Sequence, residues 1–198
     1  MVDNFDKIAA YLETKTITDD MFFHIRVMIR HKDVEWFPHG KNDNARTIYS
    51  VNITSVEELY DQKRLISTMC DALSARAYIN LVPKTYTAAA SIALENATRS
   101  YITKNYIGLQ SSWSKGVAHA NIKSESLYLV DIDEEDLDKT DEVCNFINTI
   151  RPEGNKLVLT INSKTGLHII CKKFDTNLFN ETYPSIDVKK EANTILYC

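Results

Sequence analysis

Two apolar segments joined by a short turn constrain the fold of this chain more than any other feature. Residues 156–161 read Lys-Leu-Val-Leu-Thr-Ile, residues 162–166 end in Thr-Gly, and residues 167–174 read Leu-His-Ile-Ile-Cys-Lys-Lys-Phe. Aliphatic and β-branched residues favour strands, and so short a turn joins strands that run in opposite directions. The sequence therefore predicts an antiparallel hairpin, and with it an antiparallel or mixed sheet.

The rest of the chain alternates between strand and helix patterns. Helices are predicted within residues 1–20 and at 56–73, 87–106 and 141–150, and strands at 21–31, 46–54, 76–85 and 127–133. We expect a turn-rich segment at 33–46, irregular chain at 107–124 and 175–184, and one last strand at 188–198. This order of elements predicts an α+β protein.

The length of the chain limits the number of domains. A folded protein of 198 residues buries roughly 70% of the surface that its extended chain exposes, which is enough for one sizeable core. We therefore expect a single compact domain over 1–198. Within it we expect an N-terminal α/β lobe at 1–124 and a second lobe at 125–198.

Three features bear on the cellular compartment. No stretch approaches 18 uninterrupted apolar residues, and two aspartates precede the first apolar run, which is not typical of a signal peptide. No cysteine pair has the Cys-x-x-Cys spacing of a metal or redox site. We therefore expect free thiols, no membrane partner and a reducing cytoplasm. The four cysteines are Cys70, Cys144, Cys171 and Cys198.

The charge is unevenly distributed along the chain. Nine of the 27 acidic residues lie within residues 125–142, beside a single base, Lys139. The remaining 18 acids and 22 bases leave a net charge of +4 outside that segment. A mildly basic body is compatible with a polyanionic partner, and a concentrated acidic segment with metal cations or with a solvated helix start.

An Asp-x-Asp pair ends the apolar strand at 127–133. Residues i and i+2 of a strand point to the same face, so Asp131 and Asp133 project together. Two neighbouring carboxylates repel each other, and a hard divalent cation such as Mg²⁺ or Mn²⁺ removes the conflict because it prefers oxygen ligands. The alternative is that one aspartate caps the following helix.

The hairpin turn brings phosphate-binding groups together. Ser163, Lys164, Gly166 and His168 supply a hydroxyl, an ammonium group, close backbone approach and an imidazole at one edge of the predicted sheet. The alternative is an ordinary hairpin turn followed by a hydrogen-bonded core histidine.

A third acidic position completes a recognisable order of motifs. Asp187 lies between apolar neighbours near the start of the last strand, and Asp175 is a competing candidate. The order Asp131 with Asp133, then Ser163, Gly166 and His168, then Asp187, resembles the catalytic core of the archaeo-eukaryotic primase superfamily. This superfamily includes small primase subunits, phage and plasmid primase-polymerases, and the polymerase domain of bacterial end-joining DNA ligases. The resemblance covers residues 126–197.

The resemblance implies a fold and a reaction. It implies an RRM-like catalytic half at 125–198, packed against the N-terminal half, and a template-directed nucleotidyltransferase that uses two divalent ions, Mg²⁺ or Mn²⁺, about 3.5–4 Å apart. Asp131, Asp133 and Asp187 would be the catalytic metal ligands.

The resemblance also implies the groups that bind substrates. Ser163, Lys164, Gly166 and His168 would hold the triphosphate of the incoming nucleotide. The expected partners are nucleoside triphosphates, a DNA template and primer, and a replicative helicase or another replication protein. The compact form is typical of enzymes from phages and mobile elements. Candidates for template binding are Arg26, Arg30 and Arg76.

Two other classes of function stay open. A non-catalytic relative would keep the fold and bind nucleic acid or a replication partner. An Asp-x-Asp glycosyltransferase would also use a metal and a diphosphate, but it leaves the hairpin with His168 unexplained.

The hairpin turn departs from the pattern of the primase superfamily. It has Lys164 and Thr165 where the superfamily has a glycine- or arginine-rich turn.

Overall fold

The computed structural model describes residues 1–34 and 45–198, so most of the turn-rich segment lies outside the described residues. The helices are α1 (Phe5–Glu13), α2 (Val56–Leu73), α3 (Tyr86–Ile102), α4 (Tyr106–Gln110), α5 (Ser112–His119), α6 (Thr140–Thr149) and α7 (Thr176–Thr182). The strands are β1 (Met21–Arg30), β2 (Ala45–Ile53), β3 (Arg76–Asn80), β4 (Lys84–Thr85), β5 (Leu127–Asp133), β6 (Leu157–Asn162), β7 (Gly166–Lys172), β8 (Asp187–Lys189) and β9 (Asn193–Tyr197). The α+β class is confirmed, and all strand pairings between these elements are antiparallel.

The first sheet has the order β2-β1-β3-β9, and β4 pairs with the start of β1. β1 alternates as expected, with Phe23, Ile25 and Val27 buried on the inner face and His24 and Arg26 on the outer face. The inner face packs against α1 and α2 in one apolar core. The period-2 pattern thus decides which face of this sheet is covered.

The second sheet has the order β6-β7-β5-β8. Its elements follow the chain as β5-α6-β6-β7-α7-β8, which is the split βαβ arrangement. One face packs against α6 and α7 through residues such as Val130, Ile169 and Phe179. On the other face, Leu129 and Ile170 join the core of the first sheet. The side chains of β5 that share a face with Leu129 are therefore directed towards the first sheet.

The C-terminal segment belongs to both sheets. β8 pairs with β5 in the second sheet, whereas β9 pairs with β3 in the first sheet. Between them, the Ala192 carbonyl accepts a hydrogen bond from the Leu81 amide at 2.9 Å. The expectation of one continuous strand at 188–198 is wrong, because the chain crosses from one sheet to the other at this point.

Two segments expected to be irregular are helical. α4 and α5 occupy most of 107–124, where Gly108 and Gly116 had suggested loop. A Cβ on Gly116 would lie 2.3 Å from the Ala89 carbonyl oxygen of α3, so this glycine allows close helix packing instead. α7 occupies most of 175–184. At Gly116 tertiary packing outweighs the local signal of the residue, whereas α7 begins at a local capping residue, Asp175, whose signal was not used.

Two observations bear on the expectations about compartment. None of the helices in the described ranges is long and apolar enough to cross a membrane. The four cysteines are free, and burial raises the pKa of the Cys70 and Cys171 thiols to about 12.

Candidate functional site

Three predicted site residues lie side by side on neighbouring strands of the second sheet. Asp131 of β5 is paired with His168 of β7 on one side and with Asp187 of β8 on the other. Directly opposed residues of an antiparallel pair point to the same face, with Cα atoms roughly 4.5–5.5 Å apart. Asp133 lies two residues further along β5 and shares this face. We call Asp131, Asp133 and Asp187 the carboxylate site.

The Asp131 carboxylate is held by two basic side chains. Lys189 Nζ lies 2.5 Å from Oδ2, and His168 Nε2 lies 3.2 Å from Oδ1. Burial by itself raises the pKa of Asp131, but the hydrogen bonds from His168 and Lys189 outweigh burial and lower the pKa well below its usual range. Asp131 is therefore ionised at any pH near neutrality.

Lys189 also contacts the third acid of the site. Its Nζ lies 3.6 Å from Asp187 Oδ2, so one ammonium group lies within reach of both carboxylates. The Lys189 side chain is 49% exposed and extends from β8, a strand of three residues at the edge of the sheet. A positive charge thus lies where the sequence predicts a metal ion.

His168 is fixed between the two sheets. The residue is only 6% exposed, and its Nδ1 lies 2.8 Å from the Thr194 hydroxyl of β9. Because a carboxylate only accepts hydrogen bonds, Nε2 donates to Asp131. Both ring nitrogens are therefore engaged, so contact with a triphosphate requires His168 to release one of these partners.

The hairpin turn is closed by backbone contacts. The Ser163 amide donates to the Gly166 carbonyl at 2.9 Å. A Cβ on Gly166 would lie 2.0 Å from the Ile132 carbonyl oxygen, so glycine is required here for the approach of β7 to β5. Lys164 Nζ lies 3.2 Å from Asp33 Oδ1, at the end of the first sheet. The turn thereby brings Lys164 of the second sheet into contact with the segment that follows β1 of the first sheet.

The three arginines proposed for template binding have different surroundings. Arg76 is 8% exposed, and its guanidinium lies 2.5 Å from the Asp33 carboxylate, so it forms an internal ion pair. Arg30 lies 3.4 Å from the Tyr78 hydroxyl. Arg26 lines a cleft on the outer face of the first sheet. Of the three, Arg76 is the least suited to contact a ligand, because the fold has already paired it.

The structure separates the two candidates for the third acid. Asp175 caps the N-terminus of α7, where its Oδ1 accepts from the Asn177 amide at 3.0 Å and the Leu178 amide at 3.3 Å. Asp187 lies directly beside Asp131. A helix-capping role accounts for the first aspartate, and the geometry favours the second as a member of the site.

The donor chemistry of the carboxylate site fits a hard divalent cation. The described residues contain no group of three or more His, Cys, Asp or Glu side chains already arranged around a metal position. Asp131 and Asp187 nevertheless face each other across two paired strands and share a cationic partner, and Asp133 is exposed on the same face. Carboxylate oxygens are the ligands that Mg²⁺ and Mn²⁺ prefer, so these residues fit such an ion once Lys189 moves away.

Two residues of the site were missed by sequence reasoning. Lys189 follows Asp187 by two positions in a strand, so the period-2 rule was a sufficient signal for their shared face. Thr194 gave no such signal, because its contact with His168 depends on the crossing of β9 into the first sheet.

The function of this chain has to be interpreted from the geometry of the site, because comparisons with known proteins identified no relative. No protein-family model, curated protein or solved structure matches the chain at a significant level.

Proposed function

We propose that the protein is a template-directed nucleotidyltransferase of the primase-polymerase type. The observation that carries this proposal is the row Asp187, Asp131 and His168 across β8, β5 and β7, with Asp133 at the end of β5. The split βαβ order of the second sheet is the one expected for an RRM-like catalytic half. Both features depend on pairings between segments that are far apart in the sequence.

The residues of the site have distinct tasks in this proposal. Asp131, Asp133 and Asp187 would hold divalent cations, which would activate the primer 3′-hydroxyl and neutralise the triphosphate. His168 and Thr194 orient Asp131 by a chain of two hydrogen bonds. Catalysis then depends mainly on positioning and on charge neutralisation.

The turn of the hairpin supplies the groups proposed for the triphosphate. The Lys164 side chain is 52% exposed, and Ser163 is partly exposed next to it. Lys164 contacts Asp33 from the solvent side, so an incoming phosphate competes with one carboxylate for this ammonium group.

The proposal is tested by nucleotide incorporation. Labelled primer on a DNA template is incubated with Mn²⁺ or Mg²⁺ and either ribo- or deoxynucleoside triphosphates. We expect extension by the wild-type protein, and a loss of about a hundredfold or more for Asp133→Asn, because the carboxylate at the exposed end of β5 is neutralised.

The matched control is Asp138→Asn, which neutralises an exposed acid of the same acidic segment outside the site. It should retain activity. Equal activity of wild type and Asp133→Asn would contradict the proposed site. A wild-type protein that is inert with every template, metal and sugar type would contradict the proposed activity.

A second candidate is a non-catalytic relative that binds nucleic acid. The specific observation in its favour is Lys189, which already compensates Asp131 and Asp187 and thereby replaces a metal. Titration with Mn²⁺ separates the two candidates. An enzyme binds the ion at the carboxylate site, whereas the non-catalytic relative keeps its lysine and shows no saturable binding there.

A further inference from the structure

A polar cavity lies on the outer face of the first sheet, opposite the face that packs against α1 and α2. It has a volume of about 490 Å³, and its floor is the outer face of that sheet, including His24, Arg26 and Asn80. Its wall is α5, which contributes Trp113 and His119. We call this cavity the outer cleft. Its volume is within the range of ligand sites, which are roughly 300–1,000 Å³.

The wall of the outer cleft is held in place by a buried lysine. Lys84 is 2% exposed, and its Nζ donates to the Ala118 carbonyl at 3.2 Å and to Asn121 Oδ1 at 2.5 Å. Burial lowers the pKa of Lys84 to about 8. These contacts fix the end of α5 against β4, so the cleft is a built feature of the fold.

The lining of the outer cleft carries two basic side chains, Arg26 and Lys84, and one acidic side chain, Glu191. Arg26 lies on the floor, and Glu191 is the acidic residue of the lining. Burial lowers the pKa of His24, which leaves Arg26 as the permanent charge of the floor. This balance favours an anionic ligand.

An aromatic side chain stands at the edge of the same cavity. Trp113 is in the first turn of α5, lines the outer cleft and is 48% exposed. Aromatic side chains next to basic grooves are platforms on which unpaired bases stack. The side-chain amide of Asn193 lines the cleft and can bond to a base edge. The side-chain oxygens of Asn52 and Asn80 are engaged by His24 and by the Val82 amide, which leaves their NH₂ groups as donors.

We propose that the outer cleft binds single-stranded nucleic acid, with a base stacked on Trp113 and a phosphate at Arg26. A cavity of this volume takes about one or two nucleotides, and their bases must be unpaired to reach Trp113. The assignment of the bound strand as the template rests on the proposed nucleotidyltransferase function. The binding itself requires neither metal nor the carboxylate site.

The test is fluorescence anisotropy with labelled dT20 and rU20 on the full chain, without metal or nucleoside triphosphate. The difference between the two oligonucleotides shows whether the ligand is DNA or RNA. Trp113→Ala should weaken binding by about fivefold to a hundredfold, because one base loses its stacking partner. Arg26→Gln should reduce the slope of log affinity against log salt by about 0.7, the value for one phosphate contact on a single strand.

Matched controls come from α2, which packs against the other face of the first sheet. Tyr60→Ala removes an aromatic ring of similar exposure, 43%, and Arg64→Gln removes an exposed guanidinium. Both should bind as wild type does. Circular dichroism and thermal melting establish that each variant is folded.

Three results would overturn the inference. They are wild-type binding by folded Trp113→Ala, equal affinity for a duplex of the same length, and saturation by thymidine monophosphate as tightly as by dT20. The last result would indicate a small-anion site. Strand binding that depends on Trp113 without nucleotide incorporation would refute only the proposed enzyme. Incorporation without an effect of Trp113 on strand binding would refute only the outer cleft.

Discussion

Asp33 and Asp131 are two carboxylates that each lie between two bases, but their surroundings differ. Asp33 is bound by Arg76 and Lys164 and has a side chain that is 7% exposed. Asp131 is bound by His168 and Lys189 and has a side chain that is 24% exposed. Hydrogen bonds to these bases outweigh the effect of burial and lower the pKa of both carboxyls.

The two carboxylates differ in how readily a basic partner can move away from them. The Arg76 side chain, at 9% exposure, is enclosed with Asp33, so separating this pair would strand a buried charge. Lys189 extends from a three-residue edge strand and is half exposed. The comparison teaches that the two ion pairs differ in accessibility: Asp33 is paired with an enclosed arginine, whereas the lysine partner of Asp131 is half exposed.

The largest expected effect on stability comes from breaking the enclosed ion pair between Arg76 and Asp33. Arg76→Gln should lower the free energy of unfolding by about 3 kcal/mol, because among the described residues it leaves Asp33 buried with Lys164 alone as a partner. Urea denaturation measures this value. Arg64→Gln, on the exposed side of α2, should change it by less than about 0.5 kcal/mol. Similar values for both variants would show that the Asp33 pair is not structural.

The pH dependence of the Asp131→Asn variant tests how much the charge of the partly exposed Asp131 carboxylate contributes to stability. At pH 7 this variant should be less stable by about 2 kcal/mol, the scale of hydrogen bonds to a charged group. The folded-state pKa lies below the ordinary value of 3.8, so this stabilisation is present above about pH 4 and is lost as the pH falls through the folded-state pKa. Denaturation curves at pH 7 and pH 3 should show the difference shrinking. A difference that is constant with pH would contradict a role for the charge.

A smaller effect is expected where the site is anchored to the first sheet. Thr194→Val keeps the shape of the side chain but removes the hydroxyl partner of the buried His168, and should destabilise the protein by about 1–2 kcal/mol. Thr160→Val, on the exposed side of β6, is the matched control. Thermal melting of both variants separates the loss of the hydroxyl hydrogen bond from the general effect of placing valine in a strand. A similar loss of stability in both variants would contradict a role for the Thr194 hydroxyl.

The smallest change in stability should come from Lys189→Ala. Loss of a half-exposed lysine should lower the free energy of unfolding by less than about 1 kcal/mol. The same change should tighten Mn²⁺ binding severalfold in calorimetric titration, because a competing positive charge is gone. Lys190→Ala alters the same net charge one residue further along and should leave both values nearly unchanged. Weaker Mn²⁺ binding in Lys189→Ala would mean that the lysine does not compete for the site.

Within the second sheet, β5 and the β6-β7 hairpin were predictable because their signals are local. The apolar pattern of β5 and the short turn before Gly166 identify strands and direction within a few residues. The helical content of 107–119 was not predictable in the same way. Gly116 has the local signal of a loop, and only its contact with Ala89 of α3 shows that it is a packing position.

The sequence alone determined that Asp131 and Asp133 share one face, because side-chain direction in a strand alternates with period 2 whatever the strand packs against. Only the tertiary structure decided that His168 and Asp187 flank Asp131, because strand order is set by long-range packing. It also decided that Arg76 is buried. The exposure of an arginine depends on what folds over it, and Asp33 lies 43 residues away in the chain.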